Sequence, residues 1–297
     1  MVQRIIQKAA VLIEALPYIQ AFRDKIVIVK FGGSLMDNEQ YVDSILRDVV
    51  FMHSVGMKPV VVHGGGGHIS DEMRRAGLTP RFVEGYRVTD GETIKVVERI
   101  LVNELNVMLQ SKVRAFGVTP EGHSGRDFGI VQVSRFEPTA EGHPNGQGPT
   151  VDIGYVGHVE RIDVGPILSI LDSGRLPVIA SLGLGQDGHT YNVNADEAAG
   201  EMAIALRAEK LVFLTDVSGI LRNTDYEDSL ISTLRVSEAE ELLNGGTARG
   251  GMIPKLRACV KAVRQGVHKT HIIDGRLTHS LLLEIFTDKG VGTQLVP

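Results

Sequence analysis

The stretch that decides the fold is Lys25–Ser34, KIVIVKFGGS. Ile26, Val27, Ile28 and Val29 are β-branched and follow one another without polar alternation, the pattern of a strand buried on both faces. It runs straight into Gly32-Gly33. Working outward, the unit recurs. Glu39–Val55 reads as a helix, and Lys58–His63 (KPVVVH) as a second buried strand that opens into Gly64–Gly67. His68–Ala76 reads as a helix, and Glu92–Phe116 as one long helix with Ile94, Val97, Leu101, Leu105, Val107 and Leu109 as its apolar positions. Ile130–Arg135 and Tyr155–Ile162 read as short strands around a Gly/Pro/His loop, Glu141–Pro149. Helix Pro166–Asp172, strand Pro177–Leu182, helix Ala195–Arg207 and strand Leu211–Thr215 follow. Helices Ser237–Asn244 and Gly251–Gly266, strand His271–Ile273 and helix Ser280–Phe286 complete the chain. Strands alternating with helices imply βαβ units, a mostly parallel sheet, and helices on both of its faces. Ligands of such sheets sit beyond the strand C-termini, where these glycine turns also fall.

Composition narrows the class. The 297 residues carry 31 Lys+Arg against 36 Asp+Glu, a net charge of −5, with 43% hydrophobic and 23% charged residues. That is ordinary for a packed α/β protein and argues against nucleic acid or an anionic membrane as partner. A single cysteine, Cys259, forms no internal disulfide and fits a reducing, cytoplasmic setting. No apolar run is long enough to span a bilayer. Ahead of the first strand, Val2–Phe22 has helical periodicity, with Pro17 expected to kink it or end its first half. A signal peptide is the rival reading, disfavoured by Glu14 within the apolar stretch and by the lack of a cleavage site.

Several motifs carry no function. Gly183-Leu184-Gly185-Gln186-Asp187-Gly188 fits G-x-G-x-x-G, but His189–Val193 separates it from the next helix, so no helix N-terminus meets a pyrophosphate. Asp187-Gly188 reads as a hairpin turn instead. Asp127-Phe128-Gly129 is the kinase DFG without its companion loops. His63 with His68, and His268 with His271, lack a third ligand at zinc spacing, so no metal site is expected.

The remaining clusters point one way. Lys30 stands at the end of the first strand beside a glycine turn, and Gly64–Gly67 opens a helix with free N–H groups. Arg87 offers bidentate carboxylate binding. Asn192 and Asp196 flank a helix start, and Lys255 lies in the first turn of another, where a cation opposes the helix dipole. Lysines, an arginine and glycine turns at strand ends suit phosphoryl transfer without a P-loop, a reaction driven by positioning and charge stabilisation.

Six segments, in order, resemble the amino acid kinase family: Val29–Ser34 (VKFGGS), Val61–Gly66 (VVHGGG), Tyr86–Thr89 (YRVT), Asn192–Asp196 (NVNAD), Leu214–Gly219 (LTDVSG) and Gly250–Lys255 (GGMIPK). The pattern is nearest to arginine-sensitive members whose acceptor is N-acetyl-L-glutamate. The resemblance implies a three-layer αβα sandwich and transfer of phosphate from ATP, with Mg2+ carried by the nucleotide, to the acceptor's γ-carboxylate, in arginine biosynthesis. It implies an oligomerisation helix at 1–24, an acceptor lobe at 25–194 and an ATP lobe at 195–297. Lys30 and Lys255 would stabilise the moving phosphoryl group, with Asp196 holding both. Gly65, Gly66, Arg87 and Asn192 would bind the acceptor. Gly32, Gly33, Thr215, Asp216, Ser218 and Gly219 would border ATP. His271, Glu284, Gly290 and Gly292 would form an L-arginine inhibitor site. The N-terminal helix would build a hexamer from dimers, and a regulatory signalling protein is a further possible partner.

Two features depart from the family pattern: Arg126 stands where lysine is expected, and the Glu141–Pro149 loop is long. Sibling kinases acting on aspartate, glutamate, carbamate or uridylate, and a catalytically silent amino-acid sensor of the same fold, are the alternatives.

Overall fold

A computed structural model describes residues 2–138, 151–223, 226, 229–245, 250–287 and 290–297; the loop expected at Glu141–Pro149 lies outside the described residues. Helix α1 (Val2–Phe22) leads into β1 (Ile26–Phe31), a 3-10 turn (Gly33–Asp37), α2 (Glu39–Ser54), β2 (Lys58–His63), α3 (Gly66–Arg75) and a hairpin of β3 (Phe82–Val83) and β4 (Tyr86–Arg87). A helical run follows in three pieces: α4 (Gly91–Glu98), a π-helical segment (Arg99–Asn106) and α5 (Val107–Ala115). Next come β5 (Pro120–Ser124), β6 (Val131–Arg135), β7 (Val156–Ile162), α6 (Gly165–Asp172), β8 (Leu176–Ala180), β9 (Leu182–Gly185) and β10 (Thr190–Val193). The last part holds α7 (Ala195–Ala205), β11 (Lys210–Thr215), β12 (Thr233–Arg235), α8 (Val236–Asn244), α9 (Met252–Arg264), β13 (Lys269–Asp274), α10 (Ser280–Ile285) and β14 (Thr293–Val296).

Eight strands form one sheet in the order β12-β14-β13-β11-β1-β2-β8-β5. Its pairings are parallel except between β13 and β14. The expected mostly parallel sheet is therefore present, and β1, the first strand read from sequence, lies at its interior. Alternation along β1 sends Val27, Val29 and Phe31 into a core with α2 and α5, and Ile28 into a second core with α7 and α9. Two cores on opposite faces make the three layers.

Three details differ from the sequence reading. The helix expected over Glu92–Phe116 is interrupted by the π segment. Pro17 sits inside α1 without ending it, since a proline removes one backbone donor while flanking turns stay bonded. Strands β10, β7, β6 and β9 close into a small barrel apart from the main sheet. Within it, β9 and β10 pair antiparallel across Asp187-Gly188, as the turn chemistry predicts. Among the described residues, no helix is long and apolar enough to cross a membrane.

The start of α7 is fixed locally. Asn194 has extended backbone, and its side-chain oxygen accepts the N–H of Asp196 at 2.8 Å and of Glu197 at 3.4 Å. Both carboxylates then sit in the first turn, where the helix dipole favours them. Asn194→Ala should cost about 1 kcal/mol of stability, read as a lower urea midpoint at unchanged slope; an unaltered midpoint would show that the cap contributes nothing.

Candidate active site

The C-terminal edge of the sheet gathers the charged residues singled out above. Lys30, the penultimate residue of β1, lies on the face that packs against α7, and the cap of α7 brings Asp196 opposite it. Lys30 Nζ lies 2.7 Å from Asp196 Oδ1, and Lys255 Nζ lies 2.9 Å from Asp196 Oδ2. Lys255 reaches this point because α9 runs close against α7. A Cβ placed on Gly200 of α7 would stand 3.2 Å from the Cβ of Ala258.

Both lysines and the aspartate are largely buried. Burial pushes the Lys30 ammonium down, against the pull of Asp196. For Asp196, burial alone would push the carboxyl up, but Lys30 and Lys255 outweigh it and hold the group below the ordinary aspartate range. The carboxylate is ionised and fully engaged, so it supplies no general base. Two ammonium groups held apart by one carboxylate leave their remaining N–H bonds for an anion.

Beside this bridge, the β2–α3 turn carries Gly64 to Gly67. A Cβ on Gly65 would meet Leu105 Cδ1 at 2.4 Å and Leu101 Cδ2 at 2.9 Å, so the π segment packs where only glycine fits. Gly65 caps α3, and Gly66 begins it.

Arg87 is buried on β4. Its Nη2 donates to Gly66 O and Ser70 Oγ, each at 2.8 Å, and its guanidinium lies 4.8 Å from the centre of the Phe82 ring. Among the described residues no carboxylate pairs with it, and burial lowers its pKa. A buried guanidinium held only by neutral groups is prepared for an incoming carboxylate. Asn192, on β10, donates to Thr89 Oγ1 at 3.4 Å, and Thr89 Oγ1 donates to Arg87 O at 2.8 Å. These contacts tie the barrel to the hairpin.

On the other side of Lys30, Gly32 and Gly33 turn the chain into the 3-10 segment. There Ser34 Oγ donates to Asp216 Oδ2 at 2.6 Å. This bond and the Thr215 hydroxyl hold Asp216 just past the end of β11, with its carboxyl below the ordinary range, the Ser34 bond being the main cause. Ser218 and Gly219 follow in the same turn, and Gly219 packs closely on Thr293 of β14. Arg126, the departure from the family pattern, is paired with Glu98 at 2.8 Å.

The remaining predicted group lies elsewhere. His271 Nδ1 and Glu284 Oε1 are 2.7 Å apart, and Glu284 Oε2 accepts the N–H of Val291 at 2.7 Å and of Gly292 at 3.2 Å. Burial pushes His271 down, and Glu284 is held below its ordinary range despite burial, because His271 and these amides stabilise its charge. Both line a cavity of about 210 Å³, with Gly290, Tyr18 and Phe22 of α1, Lys210 and Lys269. The two lysines were not singled out by sequence reasoning. They open β11 and β13 in register, and burial, then Lys269, lowers Lys210 to about 8. A lysine at the start of each of two apolar strands is the signal that marks them.

The profile of the amino acid kinase family matches residues 25–274. The chain is 46% identical over 292 residues to the acetylglutamate kinase of Moorella thermoacetica, covering 98% of each chain. It is 47% identical to that of Heliobacterium modesticaldum, again over 98% of both. Among solved structures, N-acetylglutamate synthase from Neisseria gonorrhoeae, complexed with coenzyme A and N-acetyl-glutamate, superposes with a TM-score of 0.82 at 26% identity. That match covers 97% of this chain and 63% of the synthase. The same synthase complexed with coenzyme A and L-arginine gives a TM-score of 0.78. The chain belongs to the amino acid kinase family, on its acetylglutamate kinase branch.

Proposed function

We propose that the chain transfers the γ-phosphoryl group of ATP to the γ-carboxylate of N-acetyl-L-glutamate, yielding ADP and N-acetyl-L-glutamyl 5-phosphate in arginine biosynthesis. The observation that carries this reading is the Lys30–Asp196–Lys255 bridge at the sheet edge. A side-chain carboxyl with an ordinary pKa of about 4.3 is already ionised at neutral pH and attacks without a base. The surroundings match that requirement. Asp196 is occupied, and burial lowers His63, the imidazole that ends β2, to about 4.

The difficulty is that two anions must meet. Lys30 and Lys255 place positive charge around the phosphoryl group in transit, and Asp196 keeps the two ammonium groups apart and oriented. Mg2+ enters with the nucleotide and is bound by its phosphates. Gly32, Gly33, Thr215, Asp216, Ser218 and Gly219 border ATP. Gly65 and Gly66 offer amide N–H groups to the acceptor, Arg87 takes its α-carboxylate and Asn192 completes its seat. Segment 25–194 serves as the acceptor lobe and 195–297 as the nucleotide lobe, in a cytoplasmic enzyme.

L-Arginine fits the second cavity as inhibitor. Glu284, oriented by His271 and the Val291 and Gly292 amides, suits a guanidinium, while Lys210 and Lys269 suit an α-carboxylate. Tyr18 and Phe22 make α1 one wall of that cavity. The same helix exposes Ile6, Val11, Ile13 and Leu16, an apolar surface suited to joining protomers, which supports 1–24 as the association helix of a hexamer.

The test is ADP release with ATP, Mg2+ and N-acetyl-L-glutamate, with and without L-arginine. Turnover suppressed by arginine supports both parts; inertness toward this acceptor defeats the kinase reading. Lys30→Ala and Lys255→Ala should each lower kcat at least 100-fold with little change in thermal midpoint, because Asp196 keeps one partner; a kcat within threefold of wild type would remove that lysine from the reaction. Glu284→Gln should raise the arginine concentration for half inhibition at least tenfold at unchanged kcat, and unchanged inhibition would place arginine elsewhere.

A further inference from the structure

The π-helical segment is an irregularity that catalysis by Lys30, Asp196 and Lys255 does not explain. It ends at Asn106, which it carries into the core beneath the β2–α3 turn. π segments inside α-helices commonly serve a site. Asn106 Nδ2 lies 2.9 Å from Val178 O and 3.1 Å from His63 Nε2, and Asn106 Oδ1 accepts from Gln110 Nε2 at 2.8 Å. Space for this pair of amides is built into edge strand β5. A Cβ on Gly122 would stand 2.0 Å from Gln110 Nε2 and 2.1 Å from Asn106 Oδ1.

The network has one self-consistent proton arrangement. A flipped Asn106 amide would set its oxygen against the Val178 carbonyl, two acceptors face to face, so Nδ2 must point there. Its second hydrogen lies between His63 Nε2 at 3.1 Å and the longer contact to His123 O at 3.5 Å, and with the donor Nδ2 facing it His63 Nε2 must accept. The imidazole is neutral, since burial lowers it to about 4, so its one hydrogen is on Nδ1. Nδ1 lies 3.3 Å from Gly64 O and donates to it. The turn's other carbonyls are also taken. Gly65 O accepts from Ile69 N at 2.9 Å, and Gly66 O from Arg87 at 2.8 Å. Within the described residues the Gly65 and Gly66 amides donate to nothing, so the turn presents donors only.

We propose that Asn106, acting through His63, is a positioning residue for acceptor binding: its amide fixes the imidazole tautomer, and the imidazole holds the Gly64 peptide so that the Gly65 and Gly66 N–H groups stay free for the acceptor's carboxylate. This rests on the assignment of those glycines to N-acetyl-L-glutamate made above. Gln110 and Gly122 support the relay, which starts at an edge strand and ends at the reaction site.

Two isosteres separate positioning from packing. The Nδ2 of asparagine falls where imidazole carries Nδ1, whereas the Nε2 of glutamine falls where imidazole carries Nε2. His63→Asn should keep KM for N-acetyl-L-glutamate within about threefold of wild type. His63→Gln and Asn106→Leu should raise it at least tenfold with KM for ATP unchanged. Equal acceptor KM values in His63→Asn and His63→Gln, or a parallel rise in both substrates' KM, would overturn the proposal. Neutron diffraction from the unaltered protein gives a test independent of variant folding: deuterium on His63 Nδ1 is expected, and deuterium on Nε2 contradicts the relay. Wild-type protein inert toward N-acetyl-L-glutamate would sink the acceptor assignment alone, an outcome distinct from either.

Discussion

One carboxylate between two ammonium groups organises this molecule. Asp196 is the only group separating Lys30 from Lys255 among the described contacts of either lysine with a carboxylate, and all three are buried enough that an unpaired member would be costly. Three independent pieces of chain must therefore meet within a few tenths of an ångström. Strand β1 delivers Lys30, the Asn194 cap sets the first turn of α7, and the close approach of α9 at Gly200 and Ala258 delivers Lys255. The parallel sheet is the frame that brings these ends to one edge, and the two cores on its faces hold the frame.

The same frame would separate the proposed reaction site from the proposed control site. Strand β11 begins at Lys210, in the cavity assigned to arginine, and ends at Thr215 beside Asp216. Strand β13 runs alongside from Lys269 to Asp274. On the sites proposed above, inhibitor and nucleotide would occupy opposite ends of the same two strands. Helix α10, which carries Glu284, is held against α2 by His279, whose Nδ1 lies 2.6 Å from the buried Asp48 carboxylate. Burial pushes that carboxyl up, against the pull of His279. Helix α2 in turn follows the 3-10 turn that carries Ser34. The two regions therefore share rigid elements.

Much of this is legible in the sequence, for physical reasons. Buried parallel strands announce themselves as unbroken apolar runs, so β1, β2 and β11 can be read directly. Lys30 stands out because an apolar strand has no packing use for it, and Lys255 because it opposes a helix dipole. What cannot be read is which of these distant groups touch: the bridge depends on α7 and α9 lying close, a tertiary fact. The π segment has a signal that periodicity analysis passes over. Val97, Leu101, Leu105, Leu109 and Val113 are all buried and spaced by four. At 3.6 residues per turn that spacing drifts about 40° per step, so a regular α-helix could not keep all five on one face, and a wider turn corrects the drift. Asn106 beside that stripe, and Gly122 opposite it, gain meaning only when the strands are assembled. The β3–β4 hairpin escapes because strands of two residues carry too little pattern, whereas the barrel escapes because the pairing of β6, β7, β9 and β10 away from the main sheet is a tertiary fact.

The measurement closest to the centre of this account is a crystal structure with MgADP, aluminium fluoride and N-acetyl-L-glutamate, which mimics the phosphoryl group in transit. Both Lys30 Nζ and Lys255 Nζ are expected within hydrogen-bond distance of the fluoride ligands while Asp196 still bridges them. A fluoroaluminate contacted by neither lysine, or a bridge broken on binding, would contradict it.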